Sequence, residues 1–273
     1  MVQRFLIHKV QFERNVLATL LPAIAGAVNA SGFFAVGTYT SHMTGIVSRA
    51  GDEMAQRHWW LATRAFFFLG CFIFGAVVAT ALILHARKRE QPAFWRPLLL
   101  EAAILFCFAS ISVGVGHPPH INSFSMTSLI CFGMGVQNAL VTKLSGARIR
   151  TTHLTGVTTD IGIELMKTFD RWRSIASGGT AMEQLRRLGE ISRDVEARHL
   201  RLHLRILGCF LAGATGGPAL YLLVGHWSML IPVALLCGLA AFDIQLGLGS
   251  HSAAAPPQAA TAREVEGGEP CQV

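Results

Sequence analysis

Two hexapeptides, TSHMTG at residues 40–45 and TTHLTG at residues 151–156, concentrate polar chemistry in an otherwise apolar chain. Each combines threonine hydroxyls, an imidazole and a terminal Thr-Gly. The candidate solute-contacting residues are Thr40, His42, Thr44 and Gly45 in the first copy and Thr151, Thr152, His153, Thr155 and Gly156 in the second. Threonine is a good helix N-cap, so the motifs predict short helices starting at Thr44 and Thr155. A helix start favours anions, because its first N–H groups lack intrahelical partners and sit at the positive end of the dipole. The matched His42 and His153 can relay protons near neutral pH or bind metal through the neutral imidazole. No further His, Cys or carboxylate cluster has ligand spacing, so neither a metal nor any other cofactor is expected. The plainer alternative is that both motifs are helix caps in interfacial loops; re-entrant and interfacial placements stay open.

The elements that hold these motifs are read from composition. The chain has 273 residues, of which 52% are hydrophobic and 14% charged, against about 25% charged for a soluble domain. Apolar blocks at 16–36, 59–84, 98–116, 124–142, 206–225 and 227–247 each approach the ~20 residues that cross a bilayer as a helix. Six spans make an all-α polytopic membrane protein. With the N-terminus inside, Arg4, Lys9, Arg14, Arg87, Lys88, Arg89, Arg96, the run from Lys143 to Arg205, and Arg263 are cytoplasmic. Only Arg49 and Arg57 lie outside. This positive-inside bias puts both termini in the cytoplasm and explains the net charge of +7 without nucleic acid. No cleavable signal peptide is expected from the first residues, which are charged and have too short an apolar core. Five of the six cysteines lie in apolar blocks and read as packing residues.

The motifs belong to a longer duplication. Gly26, Asn29, Ala30 and Gly37 recur 109 residues later as Gly135, Asn138, Ala139 and Gly146; the hexapeptides and Gly51/Gly162 recur at 111. Three spans per copy is an odd number, so the second copy enters the membrane inverted, an architecture common in secondary transporters. The expected organisation is a cytoplasmic N-terminus (1–15), membrane repeat 1 (16–122), membrane repeat 2 (123–249) with a cytoplasmic amphipathic insert (168–202), and a disordered cytoplasmic tail (250–273). In the insert, Met182, Leu185, Leu188, Ile191, Val195 and Leu202 recur at helical spacing among charges, which suits a membrane surface.

The stretches AGAVNASGFFAVGTYTSHMTGIVS and GMGVQNALVTKLSGARIRTTHLTGVTTDIG resemble the two signature regions of the YoaK family, bacterial inner-membrane proteins carrying a domain of unknown function. The resemblance covers residues 15–248. It implies an inner-membrane location and the handling of small molecules or ions, and it names no substrate. Family members often carry Asp where this chain has Asn29, and Asn where it has Ile46. The resemblance therefore implies that any carboxylate-based coupling at the first position is missing here.

Among the remaining polar residues, Asn29 and Asn138 lie within spans and either bond the two halves together or contact substrate. Gln137 adds a second amide on a different helix face. Asp160 and Glu164 share one helix face at i, i+4 and match Arg49 and Glu53 of the first half; with Arg64 they are candidate coupling or gating groups. Arg64, Glu101 and Asp243 lie near span ends, where snorkelling to the interface is the expectation. HPPH at 117–120 reads as a rigid outer turn, and GATGGP at 213–218 is expected to kink or break the fifth span. The functional reading is a secondary transporter of a small, anionic molecule or an ion, with the bilayer as its partner and homo-oligomerisation left open. The alternative is a non-transporting membrane scaffold. An enzyme is not expected, because no nucleophile, zinc-protease or paired-carboxylate arrangement is present.

Overall fold

The computed structural model describes residues 2–114, 122–144, 154–176 and 195–246. Every element among them is helical: α1 (Val2–Val36), α2 (Met43–Ala55), α3 (Trp59–Lys88), α4 (Trp95–Gly114), α5 (Asn122–Leu144), α6 (Leu154–Ala176), α7 (Val195–Val224), a 3-10 turn (Gly225–Met229) and α8 (Leu230–Leu246). Helices satisfy their own backbone groups, as hydrocarbon requires. Four stretches are long and apolar enough to cross a membrane: Thr19–Val36, Trp59–Lys88, Phe124–Lys143 and Ala197–Gln245, the last spanning α7, the 3-10 turn and α8.

The outward surface is apolar where a soluble protein would be polar. Phe66, Phe67, Phe74 and Val77 of α3, Leu211, Leu222 and Leu223 of α7, and Ile231 and Ile244 of α8 are exposed. Trp59 and Trp60 are exposed at the start of α3, where amphipathic rings suit a membrane–water boundary.

Inside, the helices approach through glycine. A Cβ at Gly26 would run into the Phe210 carbonyl oxygen, and one at Gly213 into that of Ala23, so α1 and α7 touch backbone to backbone. Gly217 lies against Ala27. A four-residue step along α7 thus matches a four-residue step along α1, and the two helices run parallel. Gly75 meets the Phe132 carbonyl oxygen and Gly135 that of Phe72. The ring pairs Phe67–Phe124 (5.0 Å) and Phe74–Phe132 (5.7 Å) make α3 and α5 parallel as well. Small residues permit this closeness, and in lipid the resulting van der Waals contact is a main source of helix association.

α4 and α8 pack together with α1 and α5 around one core that includes Leu21, Ile24, Leu98, Leu105, Phe108, Ile130, Met134 and Leu236. α2 packs on α3, and α6 on α7. One sequence expectation changes here. The GATGGP stretch neither breaks nor ends its span: α7 runs through it to Val224 with Pro218 inside, and Gly213 and Gly217 form the face that meets α1. Of the 168–202 stretch, residues 168–176 continue α6 and residues 195–202 begin α7. Residues 177–194, the HPPH turn and the tail lie outside the described residues.

Candidate functional site

The first motif is tied to α1. Gly37, in the left-handed region (φ 73°), turns the chain after α1. The Ser41 N–H and Oγ–H then donate to Asn29 Oδ1 at 3.2 and 2.8 Å. The Asn29 carbonyl oxygen thus ties the first motif to α1. Thr40 is fully buried beside Gly32 and Ile130, and its hydroxyl has no hydrogen-bond partner.

α2 starts at Met43, not Thr44, with His42 as N-cap residue and no side-chain cap bond. Thr44 sits in the first turn and is exposed. Its neighbour explains the Thr-Gly pairing: a Cβ at Gly45 would run into the His42 ring, which folds over that glycine. The opposite face of α2 buries Ile46 and Ala50 against Ala65 of α3 and Cys131 of α5. A left-handed residue, Arg57 (φ 64°), ends the turn after α2. There Glu53 Oε2 lies 3.0 Å from His58 Nδ1 and Glu53 Oε1 lies 3.7 Å from Arg49 Nε.

In the second copy, Thr151, Thr152 and His153 lie outside the described residues. α6 begins at Leu154, again one residue ahead of the expected threonine. Thr155, Gly156 and Asp160 are exposed, while Val157 and Ile161 are buried. Glu164 separates from Asp160 by facing α7, where its Oε2 lies 3.0 Å from His203 Nδ1 with both side chains almost buried. Asn138 is half-buried on α5 and Gln137 is fully buried, so the two amides do face different ways. Arg64 is half-buried, its guanidinium 5.3 Å from the centre of the Phe124 ring, a cation–π distance.

Two residues expected at the interface lie in the interior instead. Asp243 is fully buried and its Oδ2 accepts from the N–H groups of Phe94 and Trp95 at 2.9 and 2.8 Å, capping the start of α4 from α8. Glu101 is 1% exposed, and neither carboxyl oxygen has a hydrogen-bond partner. Local composition cannot separate a span end from a bundle interior; only the neighbouring helices decide that. His203 and Ser41 were also missed as partners. His203 lies outside the duplicated positions, Ser41 sits within the first hexapeptide at a position where the second copy has Thr152, and no sequence spacing links them to Glu164 or Asn29. Among the described residues no group of three His, Cys, Asp or Glu side chains is placed to hold a metal ion.

Several long apolar helices, an apolar outer surface and glycine-mediated close packing define a multi-pass helical membrane protein. A family model described as "Protein of unknown function (DUF1275)" matches residues 17–242, so the chain belongs to that family. No curated protein and no solved structure matches it.

Proposed function

We propose that the chain is a secondary transporter of the inner membrane, built from two inverted halves, α1–α4 and α5–α8. One set of contacts carries the reading. Gly26 meets Phe210 as Gly135 meets Phe72, and Gly213 meets Ala23 as Gly75 meets Phe132. Adding 109 to each α1 number and subtracting 138 from each α7 number converts the first contact of each pair into the second. A twofold axis lying in the membrane plane has this effect. It is supported by a second sequence match, GCFIFGA at 70–76 and GCFLAGA at 208–214, which fixes the register of α3 on α7. The parallel pairs α1/α7 and α3/α5 fit six spans, with α1, α4 and α7 crossing one way and α3, α5 and α8 the other.

In such proteins the solute sits near the midplane between the halves, approached by helix starts. The proposed contacts are Asn29, Thr40, His42, Thr44 and Gly45 from the first half. Gln137, Asn138, Thr151, Thr152, His153, Thr155 and Gly156 come from the second. The uncapped start of α2 supports a solute with a carboxylate or similar anionic group. Asp160, Glu164 and Arg64 are the proposed gating groups, and Glu164 already bridges α6 to α7. The reading assigns transport rather than catalysis.

The test is a screen of metabolite accumulation in vesicles containing the purified full chain. An anionic solute should accumulate above empty vesicles, and Thr44→Val or Thr155→Val should reduce uptake more than the Ser variants. No accumulation of any solute would favour the scaffold reading. Cysteine labelling tests the inversion separately: a cysteine at position 120 modified only from the cytoplasmic side would refute it.

A further inference from the structure

Two buried polar residues of the bundle, Glu101 and Gln137, have apolar counterparts in the other half. Glu101 of α4 is 1% exposed and Gln137 of α5 is 0% exposed, and neither the carboxyl oxygens nor the amide atoms have hydrogen-bond partners. Helical register brings the two to one level. Gly133 of α5 packs on α4, where a Cβ built on it would lie 3.1 Å from Ile104 Cγ2. α4 and α5 are joined by a short connection and run antiparallel, and Leu105 and Met134 share the core beside this contact. One turn from Gly133 is Gln137, and one turn back from Ile104 are Leu100 and Glu101. On the other side, the Asp243–Phe94 hydrogen bond sets the register of α8. Seven residues from that bond along each helix are Leu236 of α8 and Glu101 of α4, which puts the two at one level.

The symmetry-related positions of the two halves supply a control. The 109-residue offset matches Gln137 with Val28, and aligning Pro97 with Pro232 matches Glu101 with Leu236. Val28 and Leu236 are both buried in the main core. Packing at this level is therefore met by valine and leucine, and it does not require an acid and an amide. An ionisable side chain inside a membrane is costly to bury and marks a solute or proton pathway more often than a structural contact.

The chemistry of the pair selects the ligand. A metal cation needs several oxygen ligands, six or more for calcium, and one carboxyl plus one amide cannot surround it. A proton needs one carboxylate. The neutral acid can donate its O–H to the Gln137 carbonyl oxygen and accept from the Gln137 NH2 group, whereas the carboxylate can only accept. Few other charges face the pair. α1 over 19–36, α3 over 65–84 and α5 over 124–142 contain no Asp, Glu, His, Lys or Arg. From α8 there is Asp243, engaged with the start of α4, and from the 3-10 turn His226, whose ring lies 6.0 Å from that of Phe108. Lys143 lies beyond Gln137 at the end of α5, and His85, Arg87 and Lys88 at the end of α3.

We infer that Glu101, with Gln137 as its hydrogen-bonding neighbour, is a proton-binding site that takes a proton from water on one face of the membrane and releases it to the other. This rests on the transport reading and supplies its coupling ion. The test uses the wild-type full chain in sealed liposomes and dicyclohexylcarbodiimide, an apolar reagent that attacks protonated carboxyls. Adducts are mapped by peptide mass spectrometry while inner and outer pH are set independently. Labelling of Glu101 should fall as pH rises and should respond to the pH of either compartment. Gln137→Leu should move the midpoint by about three- to tenfold in proton affinity, the worth of one hydrogen bond inside a membrane. Labelling that is flat across pH, absent at every pH, or responsive to only one compartment would overturn the inference. An unchanged midpoint in Gln137→Leu would remove Gln137 from the site. Uptake is measured separately, so a titrating Glu101 without solute accumulation would sink the transport reading and spare the proton site. Accumulation with a silent Glu101 would do the reverse.

Discussion

At the α1–α7 contact, Gly26 and Gly213 bring two backbones together; at the α3–α5 contact, Gly135 and Gly75 do the same against the corresponding carbonyls. The two glutamates that follow the motifs behave otherwise. Glu53 reaches His58, whose side chain is 54% exposed, whereas Glu164 reaches His203, whose side chain is 11% exposed. The two helix contacts thus agree, and the two glutamate–histidine pairs differ in exposure. Close glycine packing recurs in the two helix pairs, while the surroundings of the two glutamate–histidine pairs are unlike.

The agreement can be broken most severely at the glycines. Gly75→Leu and Gly213→Leu each force a side chain into a backbone carbonyl, and each should cost about 3 kcal/mol or more. Thermal melts in detergent should show losses of similar size; a large loss at one site and none at the other would break the equivalence. The glutamates sharpen the difference. Glu164→Ala leaves His203 nearly buried without its partner and should cost about 1–3 kcal/mol, whereas Glu53→Ala should cost under about 1 kcal/mol, as exposed pairs do. Equal costs would mean the two pairs do the same work.

A smaller effect is expected at Asn29. Asn29→Ala removes both bonds to Ser41 and should cost about 1 kcal/mol, with faster hydrogen exchange at the start of α2. Asn29→Asp keeps the acceptor oxygen and should hold the loop. The smallest stability change is expected at exposed Thr44, where Ser and Val should both stay within about 0.5 kcal/mol of wild type. Uptake, not melting, should separate those two.

Much of this was legible in the sequence. The apolar blocks gave the helical membrane class and the twin hexapeptides the starts of α2 and α6 to within one residue, although α6 is not short but runs for 23 residues. The α3–α7 match is legible only where glycine is read as a contact, because GCFIFGA and GCFLAGA otherwise look like ordinary apolar span residues. Asp243 and Glu101 were not legible. A carboxylate a few residues from a block's edge has the same local sequence whether it snorkels, caps another helix or faces the core. Only the 149-residue link to Phe94 and the packing around α4 distinguish these. The pairing of Glu164 with His203 is hidden for the same reason, since the two lie on different helices 39 residues apart.

The Asp243 cap has a further consequence, for the order of assembly. The start of α4 is held by a side chain that the ribosome adds 149 residues after Phe94. At about 5–20 residues per second, α4 waits on the order of ten seconds with two N–H groups lacking their final acceptor. During that interval the newly inserted first half must hold the start of α4 near water or against a chaperoning surface. Bundle closure is then a late event triggered by the arrival of α8. A chain truncated before residue 243 would insert its earlier helices but leave α4 unlocked, and membrane quality-control proteases could recognise that difference.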